Sequence, residues 1–244
     1  MEHKISKVVK IIPTYNEKEN IVSLVPAIFE IMPQAAVLVV DDNSPDGTAE
    51  AVRELGRNYQ KLSVHQRTRE RGFGRSYLDG FKKIMGDDHE AIVMMDADFS
   101  HDPEVVPAMI GKLADYEVII GSRYISGGGI KNWSWRRRLL SRFANYYAKL
   151  ILSLPVSDPT SGFMCLQRSA LDKIDLDAIK SEGYSFLIEL KYRLIEAGCS
   201  FHEHPIIFDE RREGQSKMSA KIIWEAIWTP WKLRFQKSRK KIKD

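Results

Sequence analysis

Two carboxylates one small residue apart, in Asp96-Ala97-Asp98, are the pair whose type and spacing speak most directly to chemistry. Placed at the end of a buried strand, alternate carboxylates can hold a hard divalent cation such as Mg²⁺ or Mn²⁺, together with phosphates attached to it. Alone, two acids at such a place are more commonly a turn and a helix cap, and Asp102-Pro103-Glu104 just downstream has the form of a helix start. The company they keep reverses that preference. Pro13-Thr14-Tyr15-Asn16-Glu17 offers a rigid turn, a ring that can stack and a carboxylate. Asp41-Asp42-Asn43-Ser44-Pro45-Asp46-Gly47-Thr48 joins a Ser-Pro-Asp-Gly turn to Asp42, which could accept hydrogen bonds from a base or ribose. Asp46 to Thr48 would shape that turn and cap a helix, leaving Asp42 to meet a ligand.

These polar groups each follow a short apolar run: Val8 to Ile12, Ala36 to Val40, and Ala91 to Met95, with Val118 to Ile120 as a further run. Continuous apolar runs of this length suit strands covered on both faces. Between the first two, Ile21, Leu24, Val25, Ile28 and Phe29 recur at helical spacing. Helical patterns near Thr48 to Leu55 and Tyr77 to Ile84 bracket a short strand at Leu62-Ser63-Val64. The pattern predicts an α/β domain with a mainly parallel central sheet flanked by helices. In open sheets of this kind ligands bind beyond the carboxyl ends of the strands, so the polar clusters should meet in one crevice.

The second half changes character. Gly127-Gly128-Gly129 could flex over a ligand, and Arg136, Arg137, Arg138 and Arg142 open a helix expected through Leu140 to Leu152. Such a run can bind an acceptor phosphate, or it can be a solvated helix face. Arg71-Gly72-Phe73-Gly74-Arg75 is expected to be a flexible turn, because Tyr77 stands where a dinucleotide fingerprint needs its third glycine. His202 and His204 alternate on an expected strand, where two histidines without a third ligand more often pack or hydrogen-bond. Trp224, Ile227, Trp228, Trp231 and Phe235 fall at helical spacing, with Pro230 expected to kink or divide the helix. From Lys232 on, seven basic residues face one acid, Asp244. A Trp-rich face followed by a basic tail suits either an anionic lipid surface or docking on the protein's own domain.

Five ordered motifs then resemble family 2 glycosyltransferases of the GT-A fold, in particular their dolichol-phosphate (polyprenol-phosphate) mannosyltransferase branch. They are Pro13-Thr14-Tyr15-Asn16-Glu17, Val39 to Thr48, Asp96-Ala97-Asp98-Phe99-Ser100-His101, Gly121-Ser122-Arg123-Tyr124 and Gly214-Gln215-Ser216-Lys217. The resemblance runs from about Val8 to Lys217. It implies a donor pocket of Pro13, Tyr15, Glu17, Val40, Asp42, Asp96, Ala97 and Asp98, with Arg123, Arg211 and Lys217 as cations on the diphosphate. It implies Mg²⁺ or Mn²⁺ on Asp98, with Asp96 and Ser100 contributing, although some relatives carry Gln where Ser100 stands. Arg136, Arg137, Arg142 and Asp158, the last in Asp158-Pro159-Thr160-Ser161-Gly162, would serve the acceptor. The implied reaction is inverting transfer of mannose from GDP-mannose to a polyprenyl phosphate. UDP-glucose or another sugar nucleotide is the alternative donor, and a hydroxyl acceptor or a non-catalytic nucleotide-binding protein is a more distant reading. The implied domain covers 1–217, with a donor half to about 125 and an acceptor half from 126, followed by an amphipathic helix and polybasic tail at 218–244.

Composition bounds the rest. With 244 residues, 43% of them hydrophobic, the chain can bury one substantial core. Lys and Arg number 37 against 33 Asp and Glu, a net charge of +4 that calls for no nucleic-acid partner. Cys165 and Cys199 form no CxxC pair and are expected to be buried thiols in a reducing compartment. The charged amino terminus lacks the form of a signal peptide, and no apolar run approaches the roughly 20 residues that span a bilayer. The expectation is a cytoplasmic chain, peripheral on the cytoplasmic face of a membrane, with a small anchor subunit as a further route to the lipid.

Overall fold

Strand and helix alternate through the first half as the hydrophobic pattern predicts. The structure, a computed structural model, describes residues 5–209 and 220–241. In order come β1 (Val8–Thr14), α1 (Lys18–Ile31), β2 (Ala36–Asp41), α2 (Thr48–Leu55), β3 (Leu62–Gln66), α3 (Phe73–Ile84) and β4 (Ala91–Met94). After a 3₁₀ turn at Pro103–Val105 follow α4 (Val106–Gly111), β5 (Val118–Ser122), β6 (Gly129–Ile130) and α5 (Trp135–Leu152). The remainder is β7 (Met164–Gln167), α6 (Arg168–Asp172), α7 (Gly183–Glu196), β8 (Phe201–Pro205), β9 (Ile207–Phe208) and α8 (Ala220–Lys241). Asp102 caps the 3₁₀ turn, its Oδ1 accepting from the Glu104 backbone N–H at 2.9 Å.

Seven strands form one sheet in the order β3-β2-β1-β4-β7-β5-β8. All neighbours are parallel except β7, which runs antiparallel to both β4 and β5. The order turns back at β1, between β2 and β4, which is where such sheets open a crevice for ligand. Each strand feeds two cores because successive side chains point to opposite faces. Val9 and Ile11 pack with Tyr77, Phe81 and Phe186 of α3 and α7, while Val8 and Ile12 pack with Leu24, Ile28 and Met109 of α1 and α4. Both cysteines are buried and unpaired, as expected.

Lys10 breaks the apolar pattern of β1. Its ammonium is buried with no hydrogen-bond partner among the described residues. Burial pushes its pKa from 10.5 down to about 8, partly opposed by Cys165. The unfolded chain therefore holds this proton up to higher pH than the folded one does, so this residue's contribution to stability rises as pH climbs from about 8 towards 10.5. Lys10→Met keeps the stem and removes the buried charge. It should stabilise the fold by about 1–3 kcal/mol near pH 7 and flatten this part of the pH dependence. Urea midpoints of both proteins from pH 7 to 10 would test this, and a less stable variant would show that Lys10 has a partner.

The last helix differs from expectation. Pro230 lies inside α8 without dividing it. The helix docks through Thr229, Pro230 and Leu233, while Trp224, Ile227, Trp228, Trp231 and Phe235 are exposed. Tyr147 of α5 donates its hydroxyl to the Ile227 carbonyl at 2.8 Å and accepts from the Trp231 indole N–H at 2.9 Å. The exposed faces of α5 and α8 thus adjoin, and α5 adds Trp135, Leu139, Leu140, Phe143, Tyr146 and Leu150 to the apolar surface. Among the described residues no helix is long and apolar enough to cross a membrane.

Candidate active site

The loops after β1, β2 and β4 meet at a cleft of about 730 Å³. Each contains a non-glycine residue in the left-handed region: Asn16 (φ 58°), Asn43 (φ 56°) and Phe99 (φ 60°). Asparagine tolerates this conformation, but for phenylalanine it is strained and needs support from its surroundings. The turn at Phe99 brings the Ser100 backbone N–H and hydroxyl onto Asp98 Oδ1, at 3.1 and 2.6 Å. The first two loops are laced together in a similar way. Asp41 accepts from the Thr14 hydroxyl (3.0 Å) and from the Ser44 backbone N–H (2.9 Å) and hydroxyl (2.5 Å), and the Asn16 N–H donates to the Ser44 hydroxyl at 3.0 Å.

Pro13, Tyr15, Glu17, Asp42, Asp96, Ala97, Asp98 and Ser100 all line the cleft. Val40 does not; its side chain is buried in the core against Ile11 and Phe81, because it points to the face opposite the neighbouring Val39. Asp42 is already engaged, with Oδ1 on the Arg67 guanidinium and Oδ2 accepting from the Gly72 N–H at 3.0 Å. The Arg71 guanidinium lies 4.4 Å from the Tyr15 ring centroid, so one face of that ring is covered. The segment expected to be a flexible turn is instead the start of α3, with Gly74 N–H donating to Glu182 at 3.2 Å and Arg75 Nε pairing with Glu182 at 2.7 Å.

His101 is turned inward. Its Nδ1 accepts from the Asp96 backbone N–H at 3.0 Å, its Nε2 is 3.9 Å from Asp96 Oδ2, and its ring stacks on Phe163 at 4.7 Å. Beneath the two carboxylates the buried Tyr77 phenol is pushed well above its ordinary pKa by burial, and further by the charges of Asp96 and Asp98.

Arg123 supplies the opposite charge. It also lines the cleft, with Trp133 and Phe208 rings 5.9 and 5.5 Å from its guanidinium. Its Nε and Nη2 donate to the two oxygens of Asp158, each at 2.7 Å, and Nη2 also donates to the Thr160 hydroxyl at 2.9 Å. Burial works against the charge, but Asp158 more than offsets it and holds the arginine pKa above its usual value. Asp158 is itself fully buried, and its carboxylate orients Arg123. Glu203 accepts from the Ser157 and Asp158 backbone N–H groups at 2.8 and 3.0 Å, and Lys191 Nζ donates to the Ser161 carbonyl at 2.6 Å. Burial pulls Lys191 down to about 7.

The arginine run divides. Arg137 lines the cleft with its guanidinium 4.0 Å from the Trp133 ring centroid. Arg136 is exposed beside Trp135, and Arg142 faces a second cavity, because successive helical positions turn to different sides. Arg211 and Lys217, with Gly214 to Ser216, lie outside the described residues.

The site therefore sets the strand-end carboxylates Asp42, Asp96 and Asp98 and the arginines Arg71, Arg123 and Arg137 around one cleft at the sheet's turning point. The sequence matches the family model described as Glycosyl transferase family 2 over residues 10–175. The chain belongs to glycosyltransferase family 2. Among its relatives within that family, it is 42% identical to the polyprenol monophosphomannose synthase of Mycolicibacterium smegmatis, over 92% of this chain and 86% of that protein. It is 37% identical to the undecaprenyl-phosphate mannosyltransferase of Micrococcus luteus, over 91% of each. Glucosyl-3-phosphoglycerate synthase from Mycobacterium tuberculosis, solved in complex with Mn²⁺, UDP-glucose and phosphoglyceric acid, superimposes with a TM-score of 0.65 at 17% identity, covering 93% of this chain and 80% of that one. This glycosyltransferase thus has the GT-A fold predicted from its motifs.

Sequence reasoning missed Arg67, Glu182, Lys191 and Glu203. Arg67 carried a readable signal, since it follows β3 next to the register pair Asp41 and Gln66 and so forms a fourth polar strand end beside Asp42. The other three act across long sequence separations that no local pattern reports.

Proposed function

We propose that this glycosyltransferase moves mannose from GDP-mannose to a polyprenyl phosphate, with inversion at the anomeric carbon, giving a β-linked lipid-phosphate mannose. One juxtaposition carries the reading: α5 sends Arg137 into the carboxylate-bearing cleft while presenting an exposed apolar face, continuous with that of α8. A long-chain acceptor can thus keep its chain in lipid while its phosphate reaches the cleft. The named activities of the Mycolicibacterium and Micrococcus relatives support the acceptor and the sugar.

In this reading Pro13, Tyr15, Glu17 and Asp42 hold the nucleoside, and Asp96, Ala97 and Asp98 face the diphosphate and sugar. Arg123, Arg211 and Lys217 are retained as cations on the diphosphate, with Arg123 reaching the acceptor phosphate as well. Asp96, Asp98 and the Ser100 hydroxyl are hard oxygen donors. Among the described residues they gather no third His, Cys, Asp or Glu into a closed cage. Such a set suits Mg²⁺ or Mn²⁺ completing its shell with diphosphate oxygens. When bound, the ion would neutralise charge on the departing diphosphate.

The protein's own work is positioning. A phosphate monoester has a second pKa of about 6, so near pH 7 the acceptor is mostly a dianion and needs no strong general base. Arg123, locked by Asp158, and Arg137, stacked on Trp133, orient that dianion for in-line attack. Arg123 lends charge stabilisation at the reacting centre. The catalytic unit ends near residue 217, and the segment from 218 seats the enzyme peripherally on the cytoplasmic face of a membrane, alone or with a small anchor subunit.

The test is transfer of labelled sugar to a short polyprenyl phosphate with Mg²⁺ or Mn²⁺, offering GDP-mannose and UDP-glucose separately, with the anomeric configuration read by NMR. Organic-extractable β-mannosyl product from GDP-mannose alone is expected. Product from UDP-glucose alone would overturn the donor, and product formed only on a hydroxyl acceptor would overturn the lipid phosphate.

A further inference from the structure

A second cavity, of about 360 Å³, lies between α5 and the segment from Arg123 to Gly128. Arg142, Tyr146 and Lys149 line it from α5, at spacings of four and three that place them on one face of the helix. Neither cation pairs with a carboxylate among the described residues. Arg123 forms a shared wall with the catalytic cleft, and its Nη1 makes no hydrogen bond among the described residues while Nε and Nη2 are held by Asp158 and Thr160. Arg137, five positions before Arg142, lies on another side of α5 and lines the cleft instead. Trp135, Leu139 and Leu150 continue the face of Arg142 and Lys149 as exposed apolar side chains.

Cations with no carboxylate partner among the described residues, set in a cavity along an apolar helix face, match an anionic amphiphile: a phosphate oxyanion carrying acyl chains. We propose that this cavity binds the phosphate headgroup of a bilayer phospholipid, at a position separate from the acceptor phosphate between Arg123 and Arg137. The proposal rests on the membrane-side reading above. A bulk lipid held there would keep this face of α5 against the membrane surface, with Arg137 in the cleft on another side of the helix.

Flotation of the full chain with phosphatidylcholine vesicles, and with vesicles that also contain phosphatidylglycerol, tests it. The native chain should bind the anionic vesicles more tightly, and Lys149→Gln should weaken that binding on the order of fivefold. Its binding to neutral vesicles, and its KM for a short polyprenyl phosphate in detergent, should not change. Lys232→Gln removes an exposed cation of α8 outside the cavity and should change binding less than about twofold. An equal loss with Lys232→Gln would mean diffuse attraction and overturn the site. A raised acceptor KM in Lys149→Gln would make the cavity an acceptor subsite instead. Calorimetric binding of inorganic phosphate that Lys149→Gln abolishes, with vesicle preference intact, would reassign it to a free anion. A native chain that binds both vesicles equally leaves the membrane reading standing and removes the headgroup site; one that binds neither overturns the membrane reading itself.

Discussion

Asp98→Ala should lower kcat for sugar transfer by about 10²- to 10³-fold, since it removes a charged group fixed before the reaction begins. The carboxylate is nearly buried, at 4% exposure, and Ser100 holds it through two hydrogen bonds. That geometry survives in Asp98→Asn, which keeps the shape and discards the charge. The asparagine variant should therefore fold like the native chain, lose metal-dependent nucleotide affinity and remain nearly as inactive as the alanine variant. Calorimetry of GDP binding with and without Mn²⁺, beside steady-state rates, measures both quantities. Native-like transfer by Asp98→Ala would remove this residue from the reaction centre.

Arg123→Lys should cost about 10²-fold in kcat/KM, because an ammonium cannot reproduce the fork that meets both oxygens of Asp158 and leaves Nη1 for substrate. Asp158→Asn should cost nearly as much in activity, although the carboxylate is fully buried behind Arg123. It frees a buried guanidinium from its ionic partner among the described residues and should also lower stability by about 2–4 kcal/mol. The two residues act as one unit, so the double variant should be little worse than either single one. A kinetic double-mutant cycle decides the matter. Additive losses would mean that Asp158 supports the fold without aiming Arg123.

Much of the donor side was legible in the sequence because it depends on short-range order. A strand end and the turn after it are contiguous, so Pro13 to Glu17, Asp41 to Thr48 and Asp96 to Ser100 could be recognised as loops of one crevice once the strands were read as parallel. The strand cores were legible because fully covered strands need continuous apolar runs. The pairing of Asp158 was not legible for the converse reason. Its partner Arg123 is 35 residues away, and only the antiparallel placement of β7 beside β5 brings their loops together. The direction of the Val40 side chain was not legible either, because its motif lies beside the site while the pleat turns that side chain into the core.

The same division applies to the membrane-side helices. Sequence periodicity gathered Trp224, Ile227, Trp228, Trp231 and Phe235 on one face but left open whether that face docks or stays exposed. The structure exposes it and docks α8 through Thr229, Pro230 and Leu233. Sequence by itself determined the fold class, the family and the donor loops, since repeated local patterns and ordered motifs carry that information. Only the tertiary structure decided which charges pair, which arginines reach the cleft and which apolar face remains uncovered. Those outcomes depend on contacts between segments far apart in the chain, where burial favours pairings such as Arg123 with Asp158 that no local pattern names.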